Sequence, residues 1–368
     1  MDLFIDRSEL ARSLASIQGV IERRSARPIL SHVLMHASSD GLKLTATDEE
    51  VAYIGELASS VNEPGELAVD AASLFQVVRA LDDATVQLKL GKGDRLEVRA
   101  GRSFFRLPGI VAQEFPPLPA FDVRGQAMID SGSLRRLIDQ CAFAIATDEN
   151  RTGFNGAHLE EVGPDCMRMV ATDGHRLSVS EASYQGELAL PPRMLLPRKG
   201  LGILRKLLDA SNESITLAFG DNAMQVTRPG QRLWFRLLDG EFPEYKAVLP
   251  QSSHHTATCD HAALLSALRR VSVLAHDRSR PVRFAFEPGE LTIDIRSSDR
   301  GEVTERVAID LEGEPLTAGF NVRYLQDILG AITTENVQID LSGELGPARL
   351  TGVGADDAFF IVMPMRLS

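Results

Sequence analysis

The residues best equipped for chemistry sit together at Asp173-Gly174-His175-Arg176, between the apolar runs MRMVAT and LSVSEA. An imidazole can act as a general base, but that role needs a nucleophile or carboxylate partner within hydrogen-bond reach. The sequence supplies no recognisable one. Asp-Gly between two apolar runs is first of all a hairpin turn signal, so His175 reads as a turn or pocket residue. An enzyme centred on His175 is kept as a competing reading. His254-His255 lacks a third ligand at a recognisable spacing and reads as solvated linker rather than a metal site. GKG at 91–93 and GLG at 200–202 lack the GK[ST] that completes a phosphate loop; they read as a turn and a helix start. Cys141, Cys166 and Cys259 are far apart with no CxxC pair, which argues against a zinc ribbon or a dithiol redox site. No catalytic residue, metal or cofactor is expected.

The elements that must carry these residues repeat three times. Asp6-RSELARSLASIQGVI, Asp130-SGSLRRLIDQCAFAI and Asp260-HAALLSALRRVSVLA each place apolar residues three and four apart behind a leading acid, the signature of a capped amphipathic helix. A strand with an Asp near its end follows each helix: LKLTATD (42–48), MRMVATD (167–173) and LTIDIRSSD (291–299). Then come second helices from Asp70, Pro197 and Asn321, each followed by a hairpin of alternating apolar residues such as Val86, Leu88 and Leu90. The closing strands agree as well: Phe105-Arg106-Leu107 matches Phe235-Arg236-Leu237, and the third copy runs Phe360-Ile361-Val362-Met363-Pro364. Repeats of this kind point to a ring- or array-building binding protein. The expected fold class is α+β, with two helices and several mainly antiparallel strands per unit, and linkers at 116–125 and 250–257.

The 368 residues are 44% hydrophobic and 24% charged, ordinary for a soluble globular protein of two or three domains. MDLFIDRSEL does not resemble a signal peptide, and no stretch approaches the roughly 20 apolar residues of a membrane span. Three sparse cysteines fit a reducing cytoplasm. The net charge of −12 argues against a protein coated in basic surface. Basic pairs nevertheless recur on the helices, at Arg23-Arg24, Arg135-Arg136, Arg198-Lys199, Arg205-Lys206 and Arg269-Arg270. Recurrence on equivalent helices favours one shared basic surface that touches phosphates without reading sequence.

The segments RPILSHVLM (27–35), LTATD (44–48), VATDGHRLSVS (170–180), LLPRKGLGIL (195–204), LDGEFPEYKAVLP (238–250), GFNVRYLQDIL (319–329) and VMPMRL (362–367) resemble the bacterial DNA polymerase III β subunit, the sliding clamp family, over essentially the whole chain. The resemblance implies three domains of the DNA clamp fold, at 1–122, 123–250 and 251–368. Two chains would pair head to tail into a ring around double-stranded DNA, with helices lining the interior and antiparallel sheets outside. An acidic exterior and a basic lumen would then coexist. Partners would be the polymerase III alpha subunit, the clamp loader delta subunit, and other polymerases and repair proteins. A non-encircling peptide-binding scaffold is the alternative.

In the family, partners insert a short peptide into a pocket. The matching positions are Phe154, Thr172, Gly174, His175, Arg176, Leu177, Pro243, Val248, Asn321, Tyr324, Val362, Met363, Pro364, Met365, Arg366 and Leu367. Leu177, Val248, Val362 and Met365 would accept Leu and Phe anchors, with flexible Met side chains adapting to several partners. The resemblance assigns Arg24, Arg198, Lys199 and Lys246 to DNA, and it pairs Phe105 and Leu107 with Val273 and Leu274 across the dimer. Three departures stand out. Thr152-Gly153-Phe154 replaces two tyrosines and a leucine of the Escherichia-type clamp, Ala247 replaces a second base, and Ser368 is extra.

Overall fold

The acids that open the repeats cap helices. In the computed structural model, which describes residues 1–22, 27–148, 150–191, 193–250, 253–275, 281–297 and 301–367, Asp6 accepts hydrogen bonds from the amides of Ser8 and Glu9 at 2.8 and 2.9 Å. Asp70 accepts from the Ser73 amide, Asp260 from Ala263 and Asn321 from Arg323. Each satisfies an amide that the first helical turn leaves without a partner.

The first repeat runs β1 (Asp2–Asp6), α1 (Arg7–Ile17), β2 (His32–Ser38), β3 (Gly41–Thr47), β4 (Val51–Leu57), β5 (Ser59–Glu63), β6 (Gly65–Asp70), α2 (Ala71–Ala80), β7 (Thr85–Gly91), β8 (Arg95–Ala100) and β9 (Ser103–Ile110). The second repeats that order as β10 (Gly125–Asp130), α3 (Ser131–Cys141), β11 (Gly156–Gly163), β12 (Cys166–Thr172), β13 (Arg176–Ser183), β14 (Gln185–Glu187), β15 (Leu195–Pro197), α4 (Arg198–Leu207), β16 (Ser214–Phe219), β17 (Ala223–Arg228) and β18 (Gln231–Arg236). The third has β19 (His255–Asp260), α5 (His261–Ser272), β20 (Val282–Glu287), β21 (Glu290–Ser297), β22 (Gly301–Glu312), β23 (Leu316–Phe320), α6 (Val322–Ala331), β24 (Asn336–Leu341), β25 (Ala348–Gly352) and β26 (Ala358–Val362). Its long β22 does the work of two strands in the other repeats.

Sheet pairing groups these repeats into two compact units. One comprises Met1–Gly132, Tyr184–Pro192 and Lys199–Leu237, and holds a 14-stranded antiparallel sheet in the order β14-β10-β16-β17-β18-β4-β3-β2-β6-β9-β8-β7-β1-β5. The other comprises Ser133–Ser183, Arg193–Arg198 and Leu238–Ser368, with 12 strands in the order β15-β11-β12-β13-β26-β25-β24-β19-β22-β21-β20-β23. Repeats merge because a closing strand docks on the preceding repeat: β18 pairs with β4, and β26 with β13. Within each unit helices pack on sheet. Leu10, Leu14 and Ile17 of α1 are fully buried in the first, and Leu268, Ile328 and Leu329 of α5 and α6 in the second. Burying such a side chain contributes roughly 1.5–3 kcal/mol.

Some expectations change. The linker at 250–257 is shorter, because His255 already belongs to β19 and its Nδ1 lies 2.9 Å from the Glu314 carbonyl oxygen. GKG forms the end of β7 and its turn, with Gly93 at φ +67°, while GLG lies inside α4. Cys141 and Cys259 are buried, and burial pushes both thiols up to about 12. Among the described residues no helix is long and apolar enough to cross a membrane. Arg24 lies outside the described residues.

Candidate functional site

The turn between β12 and β13 is built by its own side chains. Asp173 Oδ1 accepts from the amides of His175 and Arg176 at 2.9 and 3.1 Å. Thr172 Oγ1 accepts from the Gly174 amide at 3.0 Å and donates to the Arg176 carbonyl at 2.6 Å. Gly174 takes φ +85°, the left-handed region that glycine enters without a Cβ penalty. The Asp-Gly turn signal is therefore real, and the turn holds His175 and Arg176 in fixed directions.

Arg176 is the hub of this corner, with its side chain only 10% exposed. Its Nε donates to Asp173 Oδ2 at 3.0 Å, Nη1 to Asp327 at 2.6 Å and Nη2 to the Phe143 carbonyl at 2.7 Å. The guanidinium also lies 4.6 Å over the Tyr324 ring and 5.2 Å over Phe143. The His175 ring stacks on Tyr324 with centroids 6.2 Å apart. That arrangement makes His175 a wall residue of the cavity beside it.

Two cavities of the second unit meet at Arg176. One encloses about 190 Å³ and is mostly apolar, lined by Phe154, Thr172, Gly174, Arg176, Leu177, Pro243, Glu244, Tyr245, Val248, Ile361 and Met363. The other, about 500 Å³ and polar, is lined by residues including His175, Arg176, Arg198, Asn321, Tyr324, Arg151, Arg323 and Asp327. Of the sixteen positions carried over by resemblance, eight line the first cavity and His175, Asn321 and Tyr324 line the second. An apolar recess beside a polar one suits an apolar anchor followed by polar chain.

The remaining positions lie elsewhere in this structure. Val362 is fully buried and belongs to the core under α5 and α6, whereas its neighbour Ile361 packs with Val170, Leu177, Val179 and Tyr245 and lines the apolar cavity. Strand alternation sends adjacent side chains to opposite faces, so only one of the two can reach it. Pro364, Met365, Arg366 and Leu367 line neither cavity. The tail is instead docked on β23: the Met365 amide donates to the Gly319 carbonyl at 2.8 Å. A Cβ at Gly319 would lie 2.4 Å from the Met365 oxygen, so the tail rests where only glycine fits.

Sequence reasoning missed Glu244, Tyr245 and Ile361. The period-two pattern of Phe359 to Val362 could have selected Ile361 once the face of Phe360 was known. Nothing local distinguishes Tyr245 from Phe242.

The basic residues are less free than their sequence suggests. Lys199 is bound to Asp48, and Lys246 lies 3.8 Å from Glu160 and over the Tyr245 ring. Arg136 pairs with Asp357 and Arg270 with Glu305. Arg198 is exposed at the mouth of the polar cavity. At the predicted interface, Phe105 is 37% and Val273 64% exposed, with Leu107 and Leu274 half-buried.

Profiles of the DNA polymerase III beta subunit match the N-terminal domain at residues 1–119, the central domain at 128–244 and the C-terminal domain at 246–366. The chain belongs to the DNA polymerase III beta subunit family. The beta sliding clamp of Caulobacter vibrioides is 34% identical over 373 residues, and that of Pseudomonas putida 35% over 369, each pairing covering 100% of both chains. The solved Pseudomonas aeruginosa clamp bound to griselimycin superposes with a TM-score of 0.92 at 34% identity, and the Thermotoga maritima subunit with 0.92 at 26%, again with 100% of both chains covered. The fold is thus the three-domain clamp fold, and the function is that of a DNA sliding clamp.

Proposed function

We propose that two copies of this clamp close head to tail around double-stranded DNA, with repeats 1–122, 123–250 and 251–368 as the three domains of each. One observation carries the ring: the pairing rule that joins repeats leaves one edge open at each end. In the internal junctions a closing strand, β18 or β26, pairs with β4 or β13 of the preceding repeat. The first repeat's closing strand β9 pairs with β8, and with β6 only at Gly109 and Ile110. The third repeat's equivalent of β4 is the first half of β22, which pairs with β21 on one side. Among the described residues neither Ser103–Pro108 nor 301–306 has a second strand partner. Both edges are complementary, so β9 of one copy would pair with β22 of the other, twice per ring. Phe105 and Leu107 would then meet Val273 and Leu274 of the partner copy.

The ring holds DNA by topology, and loose phosphate contacts suffice for sliding. Of Arg198, Lys199 and Lys246, Arg198 is the best presented for such contacts; Lys199 would have to exchange Asp48 for a phosphate. Lys246, tied to the Glu160 network, is a weak candidate. The apolar cavity takes the Leu and Phe anchors of polymerase III alpha, clamp loader delta and repair-protein peptides, and no catalysis is involved. Three free thiols and a DNA-bound role support a cytoplasmic location.

Sedimentation at micromolar concentration tests the ring. The wild type should run at twice the 40.1 kDa chain mass, and Phe105→Arg should run as a monomer. A wild-type monomer would favour the non-encircling scaffold. Val248→Glu should abolish binding of an anchor peptide; undiminished binding would contradict the assignment of the cavity.

A further inference from the structure

One wall of the apolar cavity is the segment 243–248, and Tyr245 is its buried residue, while Lys246, Ala247 and Val248 are exposed. The segment's backbone bonds turn inward: the Ala247 amide donates to the Glu244 carbonyl and the Leu249 amide to Lys246. They shape the wall without fixing it to the sheet. The fixing comes from the Tyr245 phenol, which donates to Glu160 and accepts from Arg168 Nη1 at 3.1 Å, with the Lys246 ammonium 3.8 Å from the same carboxylate. Glu160, Arg168 and Glu181 face one another across β11, β12 and β13 in register. Arg168 Nε donates to Glu181 at 2.8 Å, so this cross-strand row is braced independently of the tyrosine. The ring itself packs among Val170, Leu177, Val179 and Ile361, edge-on to Phe242 at 6.2 Å. Burial and the bond to Glu160 push the phenol up to about 12, which keeps it a hydrogen-bond donor.

We infer that Tyr245 is the positioning residue of the cavity: its hydroxyl, gripped by Glu160 and Arg168, holds Pro243 and Val248 at the spacing an apolar anchor needs. The inference rests on the peptide-binding reading of the cavity. A preformed wall spares the peptide the cost of ordering it. Loss of the grip should therefore appear in affinity, not only in stability.

The test is calorimetric titration of a short synthetic peptide with Leu and Phe anchors into the full-length dimer. Tyr245→Phe keeps the ring and removes the hydroxyl; it should weaken binding about tenfold, through a less favourable binding entropy. Glu160→Gln, whose amide oxygen still accepts, should cost less. The double variant should lose less than the two single losses summed, because both substitutions weaken the same Tyr245–Glu160 bond. Wild-type affinity in Tyr245→Phe, or additive losses in the double variant, would overturn the inference while leaving the cavity assignment intact. If Tyr245→Phe does not fold, unchanged affinity in Glu160→Ala, which removes the acceptor, overturns it equally. Failure of the underlying reading looks different: the wild type would not bind the peptide, or Val248→Glu would bind as tightly as the wild type.

Discussion

The hairpin β3–β4 of the first repeat and β12–β13 of the second have the same turn yet different uses. In both, a Thr-Asp pair closes the turn. Thr47 Oγ1 donates to the Val51 carbonyl and accepts from Glu49, while Asp48 Oδ1 accepts from Glu50 and Val51, matching Thr172 and Asp173 bond for bond. In both, the next repeat's closing strand extends the sheet. The differences lie in what flanks the turn. Opposite Ala52 stands Trp234, whereas opposite Leu177 stands Ile361. Asp48 spends its second oxygen on Lys199, and Glu49 pairs with Arg27 at 2.5 Å. Asp173 spends its second oxygen on Arg176, which reaches on to Asp327 and Phe143. One junction fills its surface with an indole and closes its turn with ion pairs; the other leaves a recess and makes its arginine the corner of two cavities. A repeat can thus keep its pairing rule and open a recess by exchanging side chains at only a few positions.

Breaking the hub should have the largest effect. Arg176→Ala leaves Asp173 and the Phe143 carbonyl without their buried partner and should cost about 3–5 kcal/mol, measurable by urea unfolding. Val51, its counterpart in the first hairpin, carries no such network, so Val51→Ala should cost only about 1–2 kcal/mol.

Transplanting the first junction into the second comes next. Leu177→Ala with Ile361→Trp should fill the apolar cavity and weaken anchor-peptide binding by at least about 100-fold, roughly 2.7 kcal/mol, with the dimer mass unchanged. Undiminished binding would mean that the recess is not where the anchor goes.

The turns themselves sharpen the comparison at a smaller scale. Asp48→Ala removes the side-chain acceptor of two amides and the Lys199 partner, and should cost about 1–2 kcal/mol. Glu49 occupies φ +76°, the position of Gly174 at φ +85°. Glu49→Gly should therefore stabilise by up to about 1 kcal/mol, and Gly174→Ala should destabilise by a similar amount. Paired thermal melts of the two variants check the opposite signs.

These pairs also show what the sequence discloses. The helices were legible because apolar stripes and capping acids are local signals, and Asp6, Asp70 and Asp260 cap as their positions suggest. Thr172, Gly174 and Leu177 were legible because turn chemistry and the quoted motif fix them together. The choice between Ile361 and Val362 was not, since it depends on which face β26 turns to β13. The hydroxyl contact of Tyr245 depends on a row of three strands that only folding brings into register. The same holds for Lys199, whose partner Asp48 lies 151 positions away. The merging of three repeats into two sheets is likewise invisible until closing strands are seen docked on their neighbours.

The central claim is that β9 and the first half of β22 are the two edges that close a ring. The most direct measurement loads the protein onto nicked circular duplex with a clamp loader and then linearises the DNA. Topological binding predicts retention on the circle and loss from the free ends at once. Retention on the linear product, or no difference between wild type and Phe105→Arg on the circle, would contradict it.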